Sequence, residues 1–163
     1  MPAELSAPAL IAVNAVAWPI VQLGLARAGE RIPAHWLNPD SSLFRIRAGE
    51  SDGRLYEQLF RIRRWKDLLP DGTRITGSGF SKSRLSRRDR AYLTTFREEA
   101  CRGELVHLAA LLATPLFLLW NPPWVMPVHA AYALLANLPC ILVQRYNRAR
   151  LARVLPVNRS AFP

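Results

Sequence analysis

Phe96–Trp120 reads FREEACRGELVHLAALLATPLFLLW. Its first half is densely charged and its second half carries no charge, and it is expected to run as one helix from the charged part into the apolar part. The uncharged run continues well past Trp120. Leu105–Gln144 is 40 residues without Lys, Arg, Asp or Glu. About twenty apolar helical residues span the hydrocarbon of a bilayer, so this run is too long for one crossing. Asn121-Pro122-Pro123 stands near its middle, and proline cannot continue a helix. The stretch therefore predicts a helical hairpin: Leu105–Trp120, a tight turn, and Trp124–Gln144.

A second uncharged run, the 22 residues Leu5–Ala26, lies upstream. No Lys or Arg precedes Arg27, so the basic start of a secretory signal is missing, and a retained helix is expected. Half of the 163 residues are hydrophobic, while the net charge is +10. The charge is segregated. Seventeen of the 22 Lys and Arg residues fall between Arg27 and Arg102, and five between Arg145 and Arg159. The positive-inside rule then puts the middle segment and the C-terminus in the cytoplasm, and the N-terminus and hairpin turn outside. The expected fold is an all-α integral membrane protein with three transmembrane helices plus a cytoplasmic amphipathic helix and loop segment. It is one domain: span 1 over 5–26, a cytoplasmic segment over 27–100, spans over 101–120 and 124–144, and a basic tail over 145–163. The expected location is the bacterial cytoplasmic membrane. Cys101 and Cys140 are expected as free thiols in a reducing compartment, with the packing role of small hydrophobic residues.

Within the middle segment, Leu43–Arg47 alternates apolar and basic residues, as a short strand or an extended interfacial segment does. In Arg54–Leu69, Leu55, Leu59, Ile62, Trp65 and Leu69 share one helical face and Arg54, Arg61 and Arg64 the other. This predicts a basic amphipathic helix lying on an anionic membrane surface. Lys66 falls inside the apolar arc, where it snorkels or reaches a buried anion. Thr73–Arg84 is rich in Gly and Ser and reads as a mobile loop without a nucleotide-cradling pattern. Ser86-x-x-Asp89 reads as a capping box that starts the helix leading into the membrane. His35 and Asp40 form a His-x-x-x-x-Asp string, a spacing used by glycerolipid acyltransferases, here without a clear strand–loop–helix setting.

The chemistry concentrates where the charged helix meets the bilayer. Glu104 and His107 are three residues apart and share a face. A carboxylate beside a histidine fixes its tautomer and stabilises its charged form, the arrangement of a base that activates a hydroxyl. Gly103 beside His107 is expected to leave room for an incoming group. Glu98 and Arg102, four apart, form a second expected pair. The plain alternative is an interfacial helix with solvated charges. A single Glu-x-x-His copy does not make a di-metal bundle site, so no metal is expected. In the third span Pro139 is expected to kink the helix near Asn137. Gln144, Arg145, Tyr146, Asn147 and Arg148 follow, with Arg145 and Arg148 as candidates for binding the phosphates of a donor or as positive-inside anchors.

RIP at Arg31–Pro33, WKDLLPDG at Trp65–Gly72, EEACRGELVH at Glu98–His107 and NLPCILVQRYNRARL at Asn137–Leu151 occur in this order. Together they resemble the glycosyl-diaponeurosporenoate acyltransferase family of bacterial carotenoid pathways, over about Gln22–Leu155. The resemblance implies a membrane acyltransferase that acylates the sugar of a glycosylated carotenoid acid. It brings no established catalytic residue with it. On the chemistry above, the catalytic candidates are His107 as base, Glu104 as its partner, and Arg102 and Glu98. The substrate-binding candidates are Trp65, Lys66, Asn137, Gln144, Arg145, Tyr146, Asn147 and Arg148, with Lys66 or Arg102 meeting the oxyanion. The implied partners are a membrane lipid or glycosylated carotenoid acceptor and an acyl donor. Acyl-CoA or another acyl thioester serves as co-substrate, and no cofactor is expected. A homo-oligomer and a partner membrane protein are both compatible with the sequence. Nucleic acid is not an expected partner, because the basic residues belong to membrane-edge helices rather than to a reading module. The competing expectation is a non-enzymatic membrane adaptor that binds anionic lipid or a protein through its basic face.

Overall fold

A computed structural model describes residues 5–69, 80 and 86–155. Among the described residues four α-helices carry the fold: α1 Ala7–Glu30, α2 Arg54–Phe60, α3 Arg90–Leu112 and α4 Met126–Ala152. Short 3₁₀ turns join them, and no strand occurs among the described residues. The segments Ala7–Glu30, Arg90–Leu119 and Pro123–Ala152 are each long and apolar enough to cross a membrane. Their outer faces are bare hydrocarbon, with Ile11 70%, Leu112 80% and Leu135 78% exposed. Such faces are unstable in water and natural in lipid, where helices also satisfy every internal backbone group. The three-helix, all-α expectation therefore holds.

The helices associate by close approach rather than by apolar burial, as helices in lipid must. α3 and α4 pack antiparallel along most of their length, and α1 lies against α3. Gly29 makes the second contact feasible, since a Cβ there would stand 2.4 Å from the Val106 side chain. At the hairpin end Trp18 stacks on Phe117 with ring centroids 4.3 Å apart and donates to His129 Nδ1 at 3.1 Å. Asn14, Trp120 and Asn121 close the same end with mutual side-chain hydrogen bonds.

Several local expectations are corrected. α3 gives way at Leu112 to a 3₁₀ stretch over Thr114–Leu119, because Pro115 offers no N–H and disfavours α geometry at Thr114. The N-cap of α3 is Asp89, whose side chain accepts the Tyr92 N–H at 3.0 Å, so no capping box starts at Ser86. The Ser86 hydroxyl bonds the Tyr92 hydroxyl instead. α4 runs through Pro139 and on past Gln144 to Ala152, making QRYNRARLA helical. Leu43–Arg47 is not a strand; a turn ends at the buried Phe44, and 45–47 are irregular.

The amphipathic helix expected over Arg54–Leu69 stops at Phe60, and Ile62–Arg64 and Lys66–Leu68 are separate 3₁₀ turns. Asp52 and Arg61 hold φ of 55° and 49° on either side of α2, a conformation unfavourable for side-chain-bearing residues. Tertiary contact holds it: Ile62 is wholly buried with Tyr56 and Tyr146, and Arg63 Nε donates to the Tyr146 hydroxyl at 3.0 Å. The segment folds back onto α4. The expected mobile loop Thr73–Arg84 falls mainly outside the described residues.

Candidate active site

The charged end of the α3–α4 pair is built from helical spacing. Cys101, Glu104 and His107 recur every three residues along α3 and meet Arg148, Arg145 and Asn137 of α4. Arg148 is 1% exposed. Its guanidinium pairs with Glu104 Oε2, donates to Cys101 Sγ at 3.3 Å, and lies 5.3 Å from the centre of the Phe44 ring. Arg145 Nη1 holds the other Glu104 oxygen at 2.9 Å. Arg145 Nη2 holds Glu50 Oε1 at 2.8 Å, and its Nε lies within donating reach of both Glu50 and the Tyr56 hydroxyl. Two arginines and two carboxylates thus compensate one another. Buried charges persist only when paired and hydrogen-bonded in this way.

Glu50 and Tyr56 come from the segment that folds back on α4. The Tyr56 hydroxyl donates to Glu50 Oε1. Burial raises the Glu50 carboxyl, but the Tyr56 hydroxyl, the Arg47 N–H and the Arg145 guanidinium outweigh it and hold the pKa below the usual carboxylate value. Burial and then the bond to Glu50 push the Tyr56 hydroxyl up to about 12. Gly53 permits this docking, with φ of 86° and room for a Cβ only 3.3 Å from Tyr146.

One turn further into the apolar zone, His107 Nδ1 stands 2.9 Å from Asn137 Oδ1, and Asn137 Nδ2 donates to the Ala133 carbonyl at 2.9 Å. Asn137 is 2% exposed. Glu104, the expected partner of His107, is taken up by the two arginines. The space expected at Gly103 is filled: a Cβ there would stand 3.1 Å from the Gln144 amide, so the glycine serves close approach of α4.

The other candidates separate from this seam. Arg102 pairs with Glu99 at 3.0 Å rather than with Glu98, because its guanidinium is drawn toward the carbonyls of Gly29 and Ile32, each at 2.6 Å. It clamps the end of α1 to α3. Glu98 is half-buried on α3. Lys66 pairs with Asp67 at 2.8 Å, and Trp65 donates to the Phe60 carbonyl while packing beside Tyr56 and Tyr146. Asn147 is half-buried next to Tyr146. His35 sits exposed in a 3₁₀ turn, and Asp40 pairs with Arg97 at 3.1 Å, so the His35–Asp40 string is drawn apart. Glu50, Tyr56, Glu99 and Cys101 were not among the sequence candidates. Glu50, Tyr56 and Cys101 act through contacts across 47 to 95 residues of chain, for which local spacing gives no signal, whereas Glu99 meets Arg102 at a local spacing of three.

Fold and seam together define an all-helical membrane protein with ionisable and acid–base side chains set into the charged end of a helix pair. The sequence model of the family described as glycosyl-4,4'-diaponeurosporenoate acyltransferase matches residues 33–156. Proteins of that name from Staphylococcus aureus strains bovine RF122 / ET3-1 and USA300 are each 31% identical over 140 residues, covering 86% of this chain and 84% of theirs. No solved structure matches the chain. The chain belongs to the glycosyl-4,4'-diaponeurosporenoate acyltransferase family and is an acyltransferase, which sets aside the adaptor alternative.

Proposed function

We propose that this acyltransferase moves a fatty acyl group from a thioester donor to a sugar hydroxyl of a glycosylated carotenoid or related glycolipid. The observation that supports the reading is that His107, held by Asn137, lies one helical turn from the Glu104–Arg145 pair where α3 passes from charged to apolar sequence. An acceptor with a sugar head and an apolar tail has its hydroxyl at that depth. His107 takes the hydroxyl proton as the sugar oxygen bonds to the thioester carbonyl carbon. The carbon–sulfur bond then breaks, and the departing sulfur takes the proton back from the imidazolium. Arg145, less buried than Arg148, is the cation best suited to stabilise the oxyanion. Arg148 holds Glu104, and Glu104 holds both guanidinium groups in register. Arg88 and Arg90, beside a cavity of about 180 Å³ floored by Leu93 and Leu155, suit the anionic part of the donor.

The protein lies in the bacterial cytoplasmic membrane with the charged end and the C-terminus on the cytoplasmic side, where acyl thioesters are made. Impermeant thiol labelling from outside should reach a cysteine at the exposed Trp124 and miss one at the exposed Val154; the opposite pattern would reverse the topology. The reaction itself is tested with purified protein in lipid nanodiscs, an acyl-CoA and a glycosylated carotenoid. A product heavier than the acceptor by one acyl group is expected. Acylation of a simple glycolipid but not of the carotenoid would move the acceptor to that class, and transfer to neither would overturn the acceptor reading.

A further inference from the structure

His107 meets the side-chain amide of Asn137, and that amide has only one workable orientation. The NH₂ group of Asn137 donates to the Ala133 carbonyl at 2.9 Å. Turning the amide over would aim its oxygen at that carbonyl oxygen, two acceptors face to face. The Ala133 carbonyl therefore fixes Asn137 Oδ1 toward the histidine, 2.9 Å from Nδ1. An amide oxygen only accepts. The proton of the neutral imidazole must then sit on Nδ1, which places the ring's lone pair on Nε2.

We propose that Asn137 is the positioning residue that selects the Nδ1–H tautomer of His107 and makes Nε2 the nitrogen that takes the acceptor's proton. This rests on His107 as the base. It follows the logic of a histidine oriented by a third group, with a neutral amide in place of a carboxylate. The difference matters where the ring lies in an apolar zone. A buried carboxylate would add a charge to be compensated, and Glu104 is already shared by Arg145 and Arg148. The amide orients the ring without adding charge. When Nε2 takes the proton, the Nδ1–H bond becomes charge-assisted and strengthens, so the contact favours the transition state over the resting enzyme.

Nitrogen-15 NMR of histidine-labelled protein in nanodiscs tests this directly. The chain has three histidines, and the His107 signals are those lost in His107→Gln. The wild type should show His107 as the Nδ1–H tautomer. Asn137→Leu should shift it to Nε2–H or a mixture and lower kcat by about 10- to 100-fold, the equivalent of one hydrogen bond to a charged group, with KM little changed. Asn137→Asp keeps an acceptor oxygen and should restore the Nδ1–H tautomer and part of the rate. A wild-type Nε2–H tautomer, or an Asn137→Leu protein with unaltered tautomer and turnover, overturns the proposal. The wild-type spectrum needs no variant, so poor folding of Asn137→Leu does not spare it. Full activity in His107→Gln would overturn the base reading and with it the proton transfer to Nε2, while the wild-type spectrum would still decide the tautomer.

Discussion

The two ends of the helix bundle solve one problem in different ways. Both place polar side chains among helices that face lipid. At the hairpin end no side chain is an Asp, Glu, Lys or Arg: Asn14, Asn121 and Trp120 hydrogen-bond one another, and Trp18 donates to His129, among aromatic rings. At the charged end, Glu50, Arg145, Glu104 and Arg148 are linked by three ion pairs, drawn from three separate parts of the chain. The neutral end is a closure. The charged end gathers the groups proposed for acyl transfer, together with the counter-charges that let them stay buried. Charge is costly in an apolar setting, so its accumulation at one end marks where function lies.

Each end carries a buried or half-buried histidine, and that gives the sharpest way to break the comparison. His107→Ala should lower acyl transfer by roughly two to four orders of magnitude while leaving the fold intact. His129→Ala should leave turnover close to wild type and cost about 1–3 kcal/mol, since the buried Trp18 N–H loses its acceptor. Initial rates in nanodiscs and a reversible denaturant titration read both effects. Activity lost at His129 and kept at His107 would exchange the roles of the two ends.

Glu104 tests the charged end as a structural unit. Replacing it by Ala leaves Arg145 and Arg148 without the carboxylate between them, and breaking a buried pair costs about 3–5 kcal/mol. Adding Arg148→Met should recover part of that loss, because the most buried cation then no longer needs a partner. If the double variant is less stable than Glu104→Ala, Arg148 contributes through Cys101 and Phe44 rather than through Glu104.

The three spans were legible because a 40-residue uncharged run interrupted by Asn121-Pro122-Pro123 permits little else. His107, Glu104, Arg145 and Arg148 were also legible as a group, since charge beside an apolar helix is conspicuous. Their pairing was not. Spacing along α3 puts Glu104 beside His107, but α4 supplies stronger partners to each: guanidinium groups for the carboxylate and an amide for the imidazole. The same competition hid the fate of Arg54–Leu69. Its periodic apolar face suits a lipid surface, yet Tyr56 and Ile62 have a better partner in Tyr146 of α4, and the helix breaks at Arg61 to reach it. Gly103 illustrates the limit most simply, because a missing side chain in sequence does not show whether a ligand or a neighbouring helix uses the space.

The smallest expected effect belongs to the neutral end. Asn14 Oδ1 accepts from Trp120 Nε1 at 2.8 Å and from Asn121 Nδ2 at 3.0 Å, and Asn14 Nδ2 donates to Asn121 Oδ1 at 2.8 Å. Side-chain hydrogen bonds between membrane helices average about 0.6 kcal/mol, because the separated helices find other partners. Asn14→Leu removes all three and should therefore cost no more than ~2 kcal/mol, less than Glu104→Ala despite the larger number of bonds. Acyl transfer should be unchanged, since no charge is stranded and the seam at the other end is untouched. The paired measurement is stability and turnover of Asn14→Leu beside Glu104→Ala in the same nanodiscs. Equal destabilisation would show that the neutral network is as strongly coupled as the ion pairs. A fully folded Asn14→Leu protein with reduced turnover would bring the hairpin end into substrate binding, and the division between closure and chemistry would no longer hold.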